Sequence, residues 1–113
     1  MIKIYHNPRC SKSREGLQIL ENSNIAYEII KYLDNQLTEK ELTQIIRLLN
    51  IPPLNLVRKN EKIWKEHFKG KEFTDQELIK ILANHPKLIE RPIVVHNNKA
   101  VIGRPPSTIL SIL

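Results

Sequence analysis

The residue best suited to chemistry is Cys10, the only cysteine in this chain of 113 residues. It follows a short apolar run and directly precedes a segment with helical periodicity, so we expect it at the N-terminus of a helix. Free amides and the positive end of the helix dipole stabilise a thiolate at such a position. The neighbouring Arg9, Lys12, Arg14 and His6 add positive potential. The sequence therefore predicts a nucleophilic thiol with a lowered pKa.

An inert, buried thiol is the alternative for a lone cysteine. Pro8 stands two positions before Cys10 and marks a loop at the end of a strand, which is rarely enclosed in a core. We therefore favour a reactive thiol. His6 lies at the end of the same strand, where it could either tune the thiol or hold the loop, and the sequence leaves both roles open.

The spacing around Cys10 argues against two familiar thiol mechanisms. A dithiol oxidoreductase needs Cys-x-x-Cys, but position 13 is Ser13, and a phosphatase-type loop needs an arginine where Gly16 stands. Without a second cysteine, disulfide transfer has to be completed by an external thiol. The single cysteine also rules out a disulfide framework, and the histidines lack metal-ligand spacing, so no metal site is expected.

Three arginines could capture an anion, because each guanidinium can hold two oxygens of a tetrahedral oxyanion. Arg58, Arg91 and Arg104 all stand where the chain turns or an element ends. On the sequence alone, a solvated surface charge is the simpler interpretation of each. The Arg91–Pro92 bond precedes a strand and is compatible with a cis peptide, although X–Pro bonds are seldom cis.

Composition limits the classes of protein to which the chain can belong. The net charge is +6 and the pI about 9.6, but lysine and arginine are spread along the chain and aromatic residues make up only 5%. This indicates a solvated basic surface, with neither direct nucleic-acid binding nor a membrane role expected. No apolar run approaches a membrane span and no signal peptide opens the chain, so a reducing cytoplasm is the expected compartment.

The elements around Cys10 form a β-α-β unit. Residues 2–5 alternate as in a strand, residues 11–22 have a helical stripe, and residues 27–32 form a second apolar run. Such a unit pairs its strands in parallel through a right-handed crossover.

The rest of the chain is predicted as a helical segment followed by a hairpin and a helix. Capping boxes begin helices at Thr38 and Thr74, and short helical turns are expected near residues 54–57 and 63–68. Strands at 92–95 and 100–103 are joined by a turn in which Asn97 and Asn98 tolerate positive φ. Pro105 and Pro106 open a C-terminal helix whose predicted apolar side is Ile109, Leu110, Ile112 and Leu113.

These elements predict an α/β, thioredoxin-like fold, β-α-β and then β-β-α, with a helical insertion at about 38–86 between the second and third strands. Length favours one domain over residues 1–113.

Four separated motifs resemble the glutaredoxin-coupled arsenate reductase family (ArsC-like), closest to its short, poorly characterised branch. They are HNPRCSKSR at 6–14, LVRKN at 56–60, IERPIVV at 89–95 and GRP at 103–105. The similarity runs from residue 2 to the last residues. It is also consistent with the fold predicted from the elements.

The resemblance implies a mechanism. Cys10 would attack arsenate, His6 would help keep the thiol ionised, and Arg58, Arg91 and Arg104 would bind the oxyanion. Glutathione would act as co-substrate by attacking the thiol–arsenic adduct, and glutaredoxin would recycle the mixed disulfide, with no bound cofactor. The resemblance also favours a cis Arg91–Pro92 bond. Further residues are expected to shape the site: Asn7, Pro8, Ser11, Ser13, Arg14 and Pro92.

Three alternatives stay open. The chain could be a thiol reductase acting on glutathione mixed disulfides, or its small oxyanion could differ from arsenate. It could also be a non-catalytic regulatory protein that binds RNA polymerase, as other members of this superfamily do. Those members usually carry Cys-x-x-Cys, which Ser13 interrupts here.

Overall fold

The β-α-β unit forms the parallel part of a four-stranded sheet. In this computed structural model, which describes residues 1–113, strand β1 is Ile2–Tyr5, helix α1 is Ser11–Asn22 and strand β2 is Tyr27–Ile30. β2 is parallel to β1, as predicted. The bounds predicted for β1 and α1 are confirmed.

Strand β2 is two residues shorter than predicted. Its ladder with β1 ends where Tyr5 pairs with Ile30, and the His6 amide then donates to the Ile30 carbonyl at 2.9 Å. Residues 31 and 32 have no strand beside them, so they turn away although Tyr32 suits a strand. Strand length here depends on the partner and not only on local preference.

A hairpin completes the sheet in the order β2-β1-β3-β4. β3 (Ile93–His96) is antiparallel to both β1 and β4 (Lys99–Ile102). Because His96 still pairs with Lys99, the turn has only two residues and is shorter than predicted. The predicted antiparallel hairpin is confirmed, and of its two turn residues Asn97 has a positive φ of 58°, whereas no positive φ is found at Asn98.

The chain divides into two compact units by its internal contacts. The first comprises Met1–Asn35 and Arg91–Leu113, and the second is Gln36–Glu90. The predicted α/β class and the β-α-β then β-β-α order are confirmed, and the second unit corresponds to the predicted insertion. That the whole chain forms a single domain stays a prediction.

The second unit is built from short helices. Both predicted capping boxes are present: Thr38 accepts from the Glu41 amide at 3.1 Å, Thr74 accepts from the Glu77 amide at 3.1 Å, and each glutamate accepts from its threonine's amide. None of the helices in the chain combines the length and apolarity needed to cross a bilayer. The α-helices of this unit are α2 (Glu39–Leu49), α3 (Lys62–His67) and α4 (Asp75–Asn84), with 3₁₀ turns at Pro53–Leu56 and Pro86–Leu88.

The core of the first unit lies on one face of its sheet. Helix α1 and the C-terminal segment both pack against this face, and so α1 is held at a fixed position over the strand ends. The fully buried members of this core are Ile2, Ile4, Leu20, Val94 and Ile109.

The C-terminal segment is a 3₁₀ helix, Pro106–Ile112, where an α-helix was expected. With three residues per turn, Ile109 and Ile112 fall on one side, and both pack against the core. Leu110 then points outward and is 61% exposed, so its predicted place on the apolar side was wrong.

Close packing around Pro92 holds α1 and the hairpin together in the first unit. A Cβ added at Gly16 would lie 2.9 Å from Ile109 Cδ1 and 3.0 Å from Pro92 Cγ. One added at Gly103 would lie 2.9 Å from Pro92 Cγ and 3.0 Å from Ile109 Cδ1. Glycine is required at both positions because side-chain atoms of Pro92 and Ile109 already fill the space that a Cβ would occupy.

We expect Gly103→Ala to destabilise the protein by about 1–3 kcal/mol, the usual cost of overpacking a core. The proline ring cannot swing away from the new methyl as a flexible chain end could. Urea unfolding would measure the change, with Lys99→Ala on the same hairpin as the exposed control. An unchanged urea midpoint for Gly103→Ala would show that Pro92 and Ile109 can move to accommodate the added methyl group without a loss of stability.

Candidate active site

Cys10 occupies the N-cap of α1, as predicted. Its amide donates to the Asn7 carbonyl at 3.0 Å, and its carbonyl accepts from the Arg14 amide at 3.0 Å, so the loop turns directly into the helix. The side chain is only 8% exposed, which is more enclosed than the loop position indicated. No side chain caps this helix start and no acidic residue lies in its first turn, so its positive potential is available to the sulfur.

The pKa of the Cys10 thiol is lowered by groups from two parts of the first unit. Burial is the largest single effect and raises the pKa. The Ser13 amide, the Arg91 guanidinium and the Lys12 amide together outweigh it, so the net pKa lies below the ordinary value. The thiolate is thus favoured by the helix start and by an arginine distant in sequence.

The cations adjacent in sequence have other partners or point to solvent. Lys12 Nζ lies 3.5 Å from Glu15 Oε2, and Arg14 Nη1 donates to the Pro8 carbonyl at 3.0 Å. Arg9 is exposed. Pro8 and Arg14 therefore brace the loop in which Cys10 sits, and Ser11 begins the helix as an exposed residue.

Arg91 enters this site from the start of β3. It is 9% exposed, and the Arg91–Pro92 bond is cis, in agreement with the expectation from the resemblance. Arg104 Nη1 donates to the Arg91 carbonyl at 3.3 Å, which brings two of the three predicted arginines together. The Arg104–Pro105 bond is also cis, which the sequence analysis did not predict.

His6 contacts Ser13 in the buried interior of the loop. His6 Nδ1 lies 2.6 Å from Ser13 Oγ, and the Asn7 amide donates to the same oxygen at 3.0 Å. Asn7 Oδ1 accepts from the Arg9 amide at 3.0 Å. Asn7 and Ser13 therefore fix the loop between β1 and α1, and His6 has the contact that a loop-holding role requires.

The neutral form of His6 is favoured. Burial lowers its pKa most, and the charges of Lys31 and Arg14 lower it further, while a hydrogen bond with the backbone of Ser13 acts in the opposite direction without outweighing them. Both cations face His6 from neighbouring elements, Lys31 just after β2 and Arg14 on α1.

Arg58 belongs to the second unit and is held there by carboxylates. Its Nη1 lies 2.6 Å from Glu61 Oε1 and its Nε lies 3.5 Å from Glu90 Oε1. A backbone hydrogen bond joins the segment that carries Arg58 to the segment that carries Glu90: the Arg58 amide donates to the Leu88 carbonyl at 2.7 Å. Neither glutamate was predicted from the sequence as a partner of Arg58, although Glu61 stands at the i+3 spacing of an ion pair.

Within the first unit, the site can stabilise an anionic sulfur and offers guanidinium groups to an oxyanion. Cys10, Arg91 and the amides at the start of α1 supply the first property. Arg91 and Arg104 supply guanidinium groups of the kind that hold tetrahedral oxyanions. Such an arrangement suits nucleophilic attack by sulfur on an oxyanion.

Comparison with known proteins gives a consistent result. The model of the ArsC family matches residues 5–112. The chain is 44% identical over 112 residues to an arsenate reductase of Haemophilus influenzae, covering 97% of each protein. It is 40% identical over 114 residues to the uncharacterized protein YfgD of Escherichia coli K12, covering 99% of this chain and 96% of that one.

The comparison with solved structures agrees with the family match. The arsenate reductase from Vibrio cholerae superposes with a TM-score of 0.94 at 46% identity, covering 99% of this chain and 97% of the other.

Proposed function

Because the chain belongs to the ArsC family, we propose that it is an arsenate reductase in which Cys10 is the nucleophile and glutathione supplies the second thiol. One observation carries the proposal: the only thiol of the chain sits at a helix N-terminus beside the buried Arg91, with a lowered pKa. A thiolate beside a guanidinium is suited to attack an oxyanion, and the relatives named above include arsenate reductases.

The reaction begins with attack of the Cys10 thiolate on arsenic(V). A sulfur–arsenic bond forms and one arsenate oxygen leaves as water after protonation. The thiol of glutathione then completes the reduction: arsenic takes up two electrons and leaves as arsenite, while the two sulfurs join as a Cys10–glutathione disulfide. One molecule each of arsenate, Cys10 thiol and glutathione thus gives arsenite, water and the mixed disulfide.

The arginines stabilise charge on the arsenate oxygens in this proposal. Arg91 lies beside the thiolate, and Arg104 is fixed against the Arg91 carbonyl. Guanidinium groups that the protein keeps in a fixed position stabilise developing charge without having to reorganise during the reaction. The resemblance assigns Arg58 to the same oxyanion, and any such role requires its guanidinium to exchange contacts with Glu61 and Glu90.

An external thiol system follows from the cysteine content. One cysteine supplies one of the two thiols that a disulfide needs, so the chain cannot regenerate itself. Glutaredoxin with a further glutathione is the recycling system proposed here, from the family resemblance. The resulting oxidised glutathione would be reduced at the expense of NADPH.

The test is a coupled assay with purified protein, arsenate, glutathione, glutaredoxin, glutathione reductase and NADPH. We expect NADPH oxidation that depends on arsenate and falls to background when glutaredoxin is omitted. Replacing arsenate with a glutathionylated protein, in a mixture that contains glutathione, glutathione reductase and NADPH but no glutaredoxin, tests the second candidate, a mixed-disulfide reductase. Turnover with the glutathionylated protein and none with arsenate would overturn the proposed substrate.

A further inference from the structure

We propose that Ser13 is a positioning residue for the Cys10 thiolate and that His6 acts on it as a neutral hydrogen-bond acceptor instead of as a cation. The inference deepens the proposed function, on which it rests for the role of Cys10 as nucleophile. The resemblance implies that His6 helps to keep the sulfur ionised, and the inference assigns this effect to an uncharged imidazole that acts through Ser13.

The hydrogens around Ser13 Oγ determine which groups donate and which accept. Ser13 is fully buried, so its hydroxyl has no access to solvent. The Asn7 amide can only donate, and it donates to Ser13 Oγ at 3.0 Å. The hydroxyl hydrogen therefore needs an acceptor of its own, and His6 Nδ1 at 2.6 Å provides it.

This arrangement defines the protonation state of His6. If Ser13 donates to Nδ1, the imidazole carries its single proton on Nε2 and is uncharged. A protonated His6 would present a hydrogen at Nδ1, so Ser13 Oγ would receive two donors. Its own buried hydrogen would then lose its acceptor, which is costly for a group without access to solvent. The lowered pKa of His6 is consistent with the neutral form.

The connection to Cys10 runs through the backbone of Ser13. The Ser13 amide is the strongest of the groups that lower the pKa of the Cys10 thiol. The Ser13 side chain is bound on one side to His6, at the end of β1, and on the other to the Asn7 amide. Asn7 in turn accepts from the Cys10 amide at 3.0 Å, so the side chain of Ser13 fixes the sulfur relative to the first turn of α1.

The test compares two neutral replacements of His6. In His6→Asn the Oδ1 atom can stand where Nδ1 stood and accept from Ser13, whereas His6→Leu offers no acceptor. The pH dependence of iodoacetamide alkylation measures the thiol directly, because Cys10 is the only cysteine. We expect His6→Asn to keep the wild-type midpoint, and His6→Leu and Ser13→Ala each to raise it by about one pH unit.

A double variant makes the test stricter. If His6 acts through Ser13, His6→Leu combined with Ser13→Ala should shift the midpoint no further than either change alone. Equal upward shifts in His6→Asn and His6→Leu would overturn the proposal, because loss of charge would then be the common cause. So would an unchanged midpoint in a folded Ser13→Ala protein, with folding checked by circular dichroism.

The wild-type protein allows an independent measurement. In ¹⁵N-labelled protein we expect His6 to show an unprotonated Nδ1 and a protonated Nε2 at pH 7, with its signals assigned from the His6→Asn variant. A doubly protonated His6 at pH 7 would contradict the proposal. Neither alkylation nor this spectrum involves arsenate, so failure of the proposed function would appear separately, as absent turnover in an otherwise activated thiol.

Discussion

Replacing Cys10 with Ser is expected to lower arsenate-dependent NADPH oxidation on the order of 10⁴-fold or more, to the background of the assay. A hydroxyl keeps the size of the thiol but is not ionised at neutral pH. It also cannot form the Cys10–glutathione disulfide that the proposed mechanism requires. Because this is the only cysteine in the chain, no other residue can substitute for it.

The matched control for this prediction is Ser107→Ala. Ser107 is exposed at the start of the C-terminal 3₁₀ helix and has no part in the proposed chemistry, so its loss should leave turnover unchanged. Mass spectrometry gives a second measurement: the wild-type protein should gain one glutathione during turnover, and Cys10→Ser should gain none. Residual turnover in Cys10→Ser equal to the wild type would mean that reduction does not pass through this sulfur.

Replacing Arg91 with Met is expected to raise the pKa of Cys10 and to lower kcat/KM by about 10²–10³-fold. Arg91 lowers the pKa of the thiol both through its charge and through a hydrogen bond. In the proposed reaction it would also hold arsenate oxygens. Alkylation requires the thiolate, so its rate rises with pH through the pKa. Because the pKa of Cys10 is lowered, we expect this rise in the wild type below the pH at which free cysteine reacts, and Arg91→Met should move it upward.

Two further arginine variants separate the possible causes. Arg91→Lys keeps a positive charge near the sulfur, so its alkylation midpoint should lie between those of Arg91→Met and the wild type. Its KM for arsenate should stay above the wild-type value, because lysine cannot hold two oxygens at once. Arg9→Met removes an exposed arginine next to Cys10 in sequence and should leave the midpoint in place. A larger shift in Arg9→Met than in Arg91→Met would show that local charge governs the thiol.

Much of the fold could be predicted because its signals are local. The alternation at residues 2–5 and the helical stripe at 11–22 gave β1 and α1 with their observed bounds. The capping boxes at Thr38 and Thr74 are self-contained, since each threonine and its glutamate satisfy one another within a single turn. Such features are specified by residues three or four apart.

The errors in the fold arose where distant partners decide the structure. Strand β2 ends at Ile30 because β1 ends at Tyr5, and the hairpin turn is two residues long because His96 and Lys99 still pair. The C-terminal segment is a 3₁₀ helix in which Ile109 faces the core while Leu110 faces solvent. No pattern within that segment distinguishes a period of three from one of 3.6 over so few residues.

The candidate site divides in the same way. A thiol placed directly before a helical stripe is an anionic-sulfur site from the order of residues alone, because the amides that stabilise it belong to the next turn. Local sequence did not show which cation assists the sulfur: the four basic residues adjacent to Cys10 in sequence were the expected ones, but in the folded protein Arg91 lowers its pKa. Electrostatic and hydrogen-bond energies depend on distance in space, so the pairing of His6 with Ser13 and of Arg91 with Cys10 emerges only once the strands and α1 have packed.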